Sequence, residues 1–167
     1  MHRNNPNGEV TLDMMFGEMP DVGKKFFWLD FKNLGFDNKD DALKELIAVV
    51  GRNIMRKSHI IIESSNPQYL DDFAQTGFLT SYYFPSLYRV KKKDVYATLA
   101  AAAEQYKNSS VDFVSGDVRS FNYLDYYFPE AVKLYWNLGK NMEKVVPFLL
   151  KQPKTGALLV HDRKFPR

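Results

Sequence analysis

The hydrophobic and polar positions of the chain follow two spacings in turn. Short and nearly continuous apolar runs, as at residues 59–63, are typical of buried strands. Residues 40–50 instead carry apolar side chains at intervals of three and four, which predicts an amphipathic helix. The whole pattern predicts strands over 26–32, 59–63, 78–84, 111–115, 132–137 and 157–161, and helices over 11–17, 40–50, 66–76, 91–107, 120–128 and 141–151.

This alternation of strand and helix predicts a parallel α/β sheet and a single domain over residues 1–167. An open doubly wound sheet and a TIM barrel both fit the pattern. A nucleotide-binding sheet usually has a glycine-rich turn after its first strand, and the segment in question has only Gly35. Polar residues recur instead at the carboxyl end of nearly every predicted strand, where a barrel places its active site. We therefore favour the barrel; these residues are Asp30, Lys32, Glu63, Tyr82, Tyr83, Asp117, Trp136, Asn137, His161 and Asp162.

The length of the chain does not match that of a complete barrel. The chain has 167 residues and begins on a polar segment, whereas a full barrel has eight strands and usually more than about 200 residues. The sequence predicts an incomplete barrel of about six βα units that lacks the first two strands. Such an open sheet has unpaired edges, so we also expect self-association.

Composition and charge exclude several classes of function. The chain has no cysteine, which excludes disulfides, thiolate catalysis and iron–sulfur clusters. The net charge is only +3 and the one dense basic run, at 91–93, is typical of a solvated helix start, so we expect no nucleic-acid partner. No apolar run approaches the roughly 20 residues of a membrane span, and no signal peptide is evident. The sequence does not indicate the cellular compartment.

Asp30 and Lys32 are the strongest candidates for chemistry. Residues two apart on a strand point to the same face. A carboxylate binds hard cations such as Mg²⁺ or Ca²⁺, and an ammonium binds phosphate oxygens. The pair therefore suits metal-assisted phosphoester chemistry, with a simple ion pair at a strand end as the alternative.

Other polar strand ends allow two interpretations each. Glu63 could bind a metal, a proton or a hydroxyl, or it could be the cap partner of the turn at 64–66. Trp136 and Asn137 could form the apolar wall and polar hook of a substrate pocket, although a single Trp is often a core residue. We place Tyr82 in the same predicted substrate pocket. His161 with Asp162 has the composition of a general-base pair, but a solvated turn is the preferred interpretation.

Four segments resemble the glycerophosphodiester phosphodiesterase family, which belongs to the phosphatidylinositol phospholipase C-like phosphodiesterases and has a TIM-barrel fold. The third strand of that family ends in an acidic residue, one spacer and a lysine, as residues 28–32 do. The next strand ends in a small polar turn before a helix, similar to 60–67. A late strand carries a Trp, similar to 134–137, and the closing strand has an Asp with a Pro nearby, similar to 158–166.

The resemblance implies a metal-dependent hydrolase of glycerophosphodiesters or phospholipid headgroups that uses Mg²⁺ or Ca²⁺. Asp30 would match a metal ligand, Lys32 the lysine that faces the phosphate, and Trp136 the pocket wall. Glu63, on the neighbouring predicted strand, is our candidate for a second metal ligand.

The chain departs from the family pattern at its start. The family has a His-Arg pair on its first strand, Glu-x-Asp on its second, and a further His soon after. Here no strand is predicted before residue 26, and His2-Arg3 matches in letters only. We therefore expect a weak or inactive enzyme. The alternatives are a non-catalytic binding or structural module on the same barrel and, less favoured, a nucleotide-binding domain.

Overall fold

A computed structural model describes residues 10–87, 90–137 and 142–160 of the chain. It contains one sheet of six parallel strands that follow the order of the sequence. The strands are β1 Phe27–Asp30, β2 Ile60–Ser64, β3 Leu79–Tyr83, β4 Phe113–Asp117, β5 Val132–Asn137 and β6 Thr155–Val160. The helices are α1 Leu12–Gly17, α2 Lys39–Arg52, α3 Asp71–Gln75, α4 Val95–Lys107, α5 Phe121–Tyr127 and α6 Met142–Leu149.

The strand order separates the two architectures that the sequence left open. A doubly wound sheet reverses its strand order at a switch point, and this sheet does not reverse. Right-handed crossovers in one direction put all helices on the same face, so the sheet curls into half a barrel. The α/β class and the parallel barrel-like sheet are confirmed in this form. The loss of two strands remains a prediction.

Two clusters of apolar side chains hold the helices against the sheet. In the first, Ile60 and Ile62 of β2 pack with residues of α2 and α3, including Leu46 and Phe73. In the second, Val114 of β4 packs with residues of β5, α4 and α5, all of them buried: Tyr135, Leu99 and Leu124. Complete burial of one such side chain stabilises the fold by roughly 1.5–3 kcal/mol. Because side chains alternate along a strand, every second residue of each strand faces the helices, and the residues between them face the other side of the sheet.

We call the side of the sheet that faces away from the helices the concave face. Its register places side chains of neighbouring strands in rows, since Asp30 is opposite Glu63, Glu63 opposite Ser81, and Asp117 opposite Trp136. Apolar side chains on this face keep contact with water: Val132 is 36% exposed and Leu159 is 53% exposed. The positions of the concave face are Trp28, Asp30, Ile61, Glu63, Leu79, Ser81, Tyr83, Phe113, Ser115, Asp117, Val132, Leu134, Trp136, Ala157 and Leu159.

Local structure differs from the predicted pattern at three places that matter for the site. The strand predicted for 26–32 ends at Asp30, so Lys32 lies in the turn after β1 and not on the strand. The single helix predicted for 66–76 is a 3-10 turn, Pro67–Tyr69, followed by α3. Asn66 does not cap it, because its side-chain amide donates to the Leu34 carbonyl over 2.9 Å. Strand β4 begins two residues later than predicted and extends to Asp117, since the Asp112 carboxylate instead accepts hydrogen bonds from Thr80.

Strand β5 is confirmed at both ends, and Thr11 caps α1 by accepting a hydrogen bond from the Met14 backbone amide. Within the described residues no helix is long and apolar enough to cross a membrane. His2 and the pair His161-Asp162 lie outside the described residues.

Candidate functional site

Asp30 and Lys32 come together as an ion pair at the carboxyl end of β1. The Lys32 ammonium lies 2.5 Å from a carboxylate oxygen of Asp30, and both side chains remain in contact with water. The hydrogen bond to Asp30 raises the pKa of Lys32, although partial burial opposes this change. The ammonium also lies 5.4 Å from the centre of the Tyr83 ring on β3. A permanently charged lysine is therefore held on the concave face by two strands.

Glu63 is the buried carboxyl group of the site. It stands opposite Asp30 in the parallel register and is only 3% exposed. The indole nitrogen of Trp28 donates to Glu63 over 2.9 Å. The Ser115 hydroxyl donates to the Tyr82 carbonyl over 3.3 Å and is close enough to favour the charged form of Glu63. Burial raises the pKa of Glu63 to about 7; Asp30 adds to this effect, whereas Ser115, Trp28 and Lys32 oppose it. Near neutral pH the group therefore exists in both protonation states.

Glu63 is not the cap partner of the turn that follows it. In that turn, the hydroxyl of Ser64 accepts the hydrogen bond from the Asn66 backbone amide over 3.1 Å. The carboxyl group of Glu63 is instead directed to Trp28 and Ser115 on the concave face.

An aromatic pair forms one wall beside these charges. The rings of Tyr83 and Trp136 stack with centroids 6.0 Å apart and planes inclined by 14°. Burial raises the pKa of Tyr83, while a hydrogen bond from Ser86 and the charge of Lys32 oppose that change. The Tyr83 phenol is therefore neutral at physiological pH.

Two buried polar atoms on the concave face lack a hydrogen-bond partner among the described residues. They are the indole nitrogen of Trp136 and the hydroxyl oxygen of Ser81, which is opposite Glu63 in the register. Buried donors without partners are uncommon because each costs about 1–3 kcal/mol of stability. Both atoms could be satisfied by an oxygen-rich ligand or by ordered water. We call Trp28, Asp30, Lys32, Glu63, Ser81, Tyr83, Ser115 and Trp136 the rim cluster.

The structure does not bring Tyr82 to the rim cluster. Its side chain is on the helix side of β3, where the hydroxyl donates to Gln105 of α4 over 2.8 Å and burial raises the pKa to about 12. Its neighbour Tyr83 takes the place in the cluster that we predicted for Tyr82. Asn137 ends β5, and its side chain is outside the described part of the structure.

Asp117 shares the concave face but is already engaged. The guanidinium of Arg119 donates to both of its carboxylate oxygens over 2.7 Å. Burial alone would raise the pKa of Asp117, but the hydrogen bonds from Arg119 keep it below the ordinary value.

The rim cluster contains two carboxyl groups, those of Asp30 and Glu63. Across the described residues no group of three or more His, Asp or Glu side chains is arranged to hold a metal ion. Asp30 and Glu63 are a pair, and Mg²⁺ usually binds one or two protein carboxylates together with substrate phosphate. Two carboxyl groups would hold a cation only together with further ligands, such as the oxygens of a bound substrate. His59 precedes β2 at the opposite end of the strands and cannot contribute.

Strand alternation alone could have found Trp28, which the sequence interpretation missed, and could have put Tyr83, which it named only as a polar strand end, in the pocket in place of Tyr82. Trp28 is two positions before Asp30 and shares its face, and Tyr83 stands one position beyond Tyr82. Ser81 and Ser115 gave no comparable signal, because a single serine in a strand has no distinctive pattern.

Comparisons with known proteins add no relative. No protein-family model matches the chain, and no curated protein matches its sequence significantly. The resemblance to phosphodiesterases thus depends on the motifs of the chain itself.

Proposed function

We propose that the rim cluster binds a phosphodiester, either a glycerophosphodiester or a phospholipid headgroup, and hydrolyses it slowly with Mg²⁺ or Ca²⁺. One observation carries this proposal. A lysine ammonium is held by Asp30 beside a second, buried carboxyl group at the ends of parallel strands. A lysine ammonium binds phosphate oxygens, and carboxyl groups bind a divalent cation together with such oxygens. The arrangement therefore suits a phosphate-containing ligand.

Five residues of the cluster have a direct role in this proposal. Lys32 contacts a phosphate oxygen, and the stacked rings of Tyr83 and Trp136 form the wall for the rest of the ligand. Asp30 and Glu63 would hold the cation, which supplies charge stabilisation at the phosphoryl group when bound. Without a cation, Glu63 has a pKa suited to accept or donate a proton near neutral pH.

The composition of the rim cluster predicts a low rate of phosphodiester hydrolysis. General acid–base catalysis contributes typically about 10²–10⁴-fold, and among the described residues no histidine is close to Lys32. Among the described residues Glu63 is the group with a pKa suited to proton transfer, and it cannot carry a proton while it binds a cation. We expect turnover well below the median enzyme value of about 10 s⁻¹.

A non-catalytic binding module is the second candidate. It is favoured by the absence of any three-residue metal group in the described part of the chain. The unpartnered atoms of Ser81 and Trp136 are compatible with both candidates, because each would be satisfied by a bound ligand.

The test measures glycerol 3-phosphate release from glycerophosphocholine, with and without Mg²⁺ or Ca²⁺, and in parallel the binding of the same compound by calorimetry. We expect Lys32→Met to abolish binding and any turnover, because the ammonium is the only direct anion contact that we assign. Lys154→Met is the matched control, since Lys154 also pairs with a carboxylate, that of Glu130, but at the amino ends of β5 and β6, away from the rim cluster.

The outcomes separate the two candidates. Metal-dependent turnover that requires Lys32 and Asp30 supports the enzyme. Binding that requires Lys32 but without turnover supports the binding module. Neither binding nor turnover, or equal effects of the two lysine variants, would overturn both.

A further inference from the structure

A second surface of the molecule combines exposed apolar and basic side chains. It lies at the amino ends of β1 and β2 and on the segments that precede them, which is the opposite end of the strands from the rim cluster. We call it the basic rim; its residues are Lys24, Lys25, Phe26, Ile54, Arg56 and Lys57.

Ile54 projects from this surface with 88% of its area exposed. Its φ angle is +52°, a left-handed conformation that a β-branched residue rarely adopts. The segment is packed closely, because a Cβ added at Gly23 would lie 2.8 Å from the Ile54 carbonyl oxygen. The backbone is thus held in a strained conformation that keeps a large apolar side chain in water, and the fold gains no burial from it.

Phe26 is the second apolar side chain of the basic rim. It is 70% exposed, and one face of its ring stacks on His59 with centroids 4.2 Å apart. Because Phe27 pairs with Ile60, Phe26 and His59 stand side by side at the starts of β1 and β2. The ring is therefore fixed in place, with its outer face free.

The charges around these two side chains are mainly positive. Lys25 and Arg56 are exposed, and neither has an ion-pair partner among the described residues. Lys57 lies over the Phe78 ring at 5.7 Å. Lys24 pairs with Asp21, and Asp13 pairs with Arg52, two residues before Ile54. The surface thus combines two exposed apolar side chains, Ile54 and Phe26, with basic side chains that have no ion-pair partner among the described residues. This composition is typical of a protein surface that contacts a membrane interface.

We propose that the basic rim binds an anionic membrane surface. Ile54 and Phe26 enter the boundary between headgroups and acyl chains, while Lys25 and Arg56 meet the anionic headgroups. A nucleic acid is a poorer occupant, because an aliphatic side chain offers no surface for base stacking and Phe26 has already stacked one of its faces. A molecule bound in this way turns its rim cluster towards the aqueous phase. The proposal does not depend on the function of that cluster.

Sedimentation with vesicles tests the proposal on the whole chain. The probes are vesicles of phosphatidylcholine alone and of phosphatidylcholine and phosphatidylserine in equal parts. We expect binding to the anionic vesicles only, and weaker binding as salt is added. Lys25→Gln with Arg56→Gln should reduce the affinity about 30-fold, since each basic residue near an anionic surface contributes roughly fivefold.

Ile54→Gly separates binding from folding. Glycine adopts the positive φ angle without strain, so this variant should be at least as stable as the parent chain. We expect it to bind anionic vesicles about tenfold less tightly, because it lacks the apolar side chain. Matched controls outside the surface are Lys91→Gln with Lys92→Gln, and Tyr96→Ala, which remove equal charge and an equally exposed ring near α4.

Three results would overturn the proposal. The first is no binding to anionic vesicles. The second is equal loss of binding in the control variants. The third is a poly-U oligonucleotide that binds more tightly than the vesicles and is sensitive to the same basic-rim variants.

Discussion

Asp30 and Glu63 stand opposite one another on neighbouring parallel strands, yet only Glu63 is withdrawn from water. Asp30 keeps contact with solvent and holds the Lys32 ammonium. Glu63 lies below it among Trp28 and Ser115, where burial disfavours its charged form. Two carboxyl groups in one row thus differ in their chemistry because of their depth on the concave face.

The first prediction concerns the pH dependence of stability. The folded pKa of Glu63 is about 7, above the ordinary value of 4.5, so between these values the folded state binds more protons than the unfolded state. The free energy of unfolding should therefore fall as the pH rises through this window and level off above it. The full difference corresponds to about 3 kcal/mol.

Urea denaturation at about pH 5 and about pH 8 measures this effect. Glu63→Gln keeps the shape and the acceptor for Trp28 but cannot ionise, so its stability should change much less over the same range. Glu130→Gln is the control, because Lys154 lowers the pKa of Glu130 and the sign is opposite. A parent chain that becomes more stable with rising pH, in a manner that requires Glu63, would contradict the assignment.

A second prediction compares two buried serines of the rim cluster. Ser81→Ala removes a hydroxyl with no partner among the described residues, so the chain should become more stable by about 1 kcal/mol. Ser115→Ala removes the hydroxyl that donates to the Tyr82 carbonyl over 3.3 Å and should destabilise the chain by about the same amount. It should also raise the pKa of Glu63 further.

Thermal unfolding gives the two stabilities, and titration of Glu63 by NMR gives the pKa. If Ser81 is kept for a ligand, its alanine variant should combine higher stability with weaker binding of glycerophosphocholine. Destabilisation by Ser81→Ala would instead mean that the hydroxyl has a partner in the folded protein.

A third prediction tests the packing of β4 against α5. A Cβ added at Gly116 would lie 2.9 Å from the buried side chain of Leu124, so Gly116→Ala should destabilise the chain by about 1–3 kcal/mol. Gly51 is in α2 with open space around it, so Gly51→Ala should stabilise the chain by about 0.5–1 kcal/mol. Opposite shifts of the urea midpoint are the expected result, and shifts of the same sign would contradict it.

The fourth prediction is self-association through the concave face. Leu159 and Val132 are exposed there, and an apolar sheet face in water favours association. We expect a dimer or larger species in size-exclusion chromatography with light scattering. Leu159→Lys should shift the population towards the monomer, whereas Leu150→Lys, an exposed position after α6, should not. A parent chain that is monomeric at high concentration would contradict this expectation.

The amino-acid sequence by itself determined the alternation of strands and helices and the pairing of Asp30 with Lys32. The alternation follows from a local rule, because the apolar spacing distinguishes a strand from a helix. Asp30 and Lys32 pair because they are two positions apart in the sequence, although β1 ends at Asp30 and Lys32 lies in the turn beyond it. The match of β5 at both ends reflects the same rules. Where side chains compete for backbone groups, as at Asn66 and Asp112, the local pattern placed the boundaries wrongly.

Only the tertiary structure decided which face of each strand meets the helices. Tyr82 and Tyr83 are adjacent and chemically alike, and the packing of α4 against β3 gives Tyr82 to Gln105 and Tyr83 to Lys32. The burial of Glu63, its bond to Trp28 35 residues away, and the strained exposure of Ile54 depend on the register and contacts of distant segments. Spacing along one strand contains no information about these contacts, because the parallel register is set by the whole sheet.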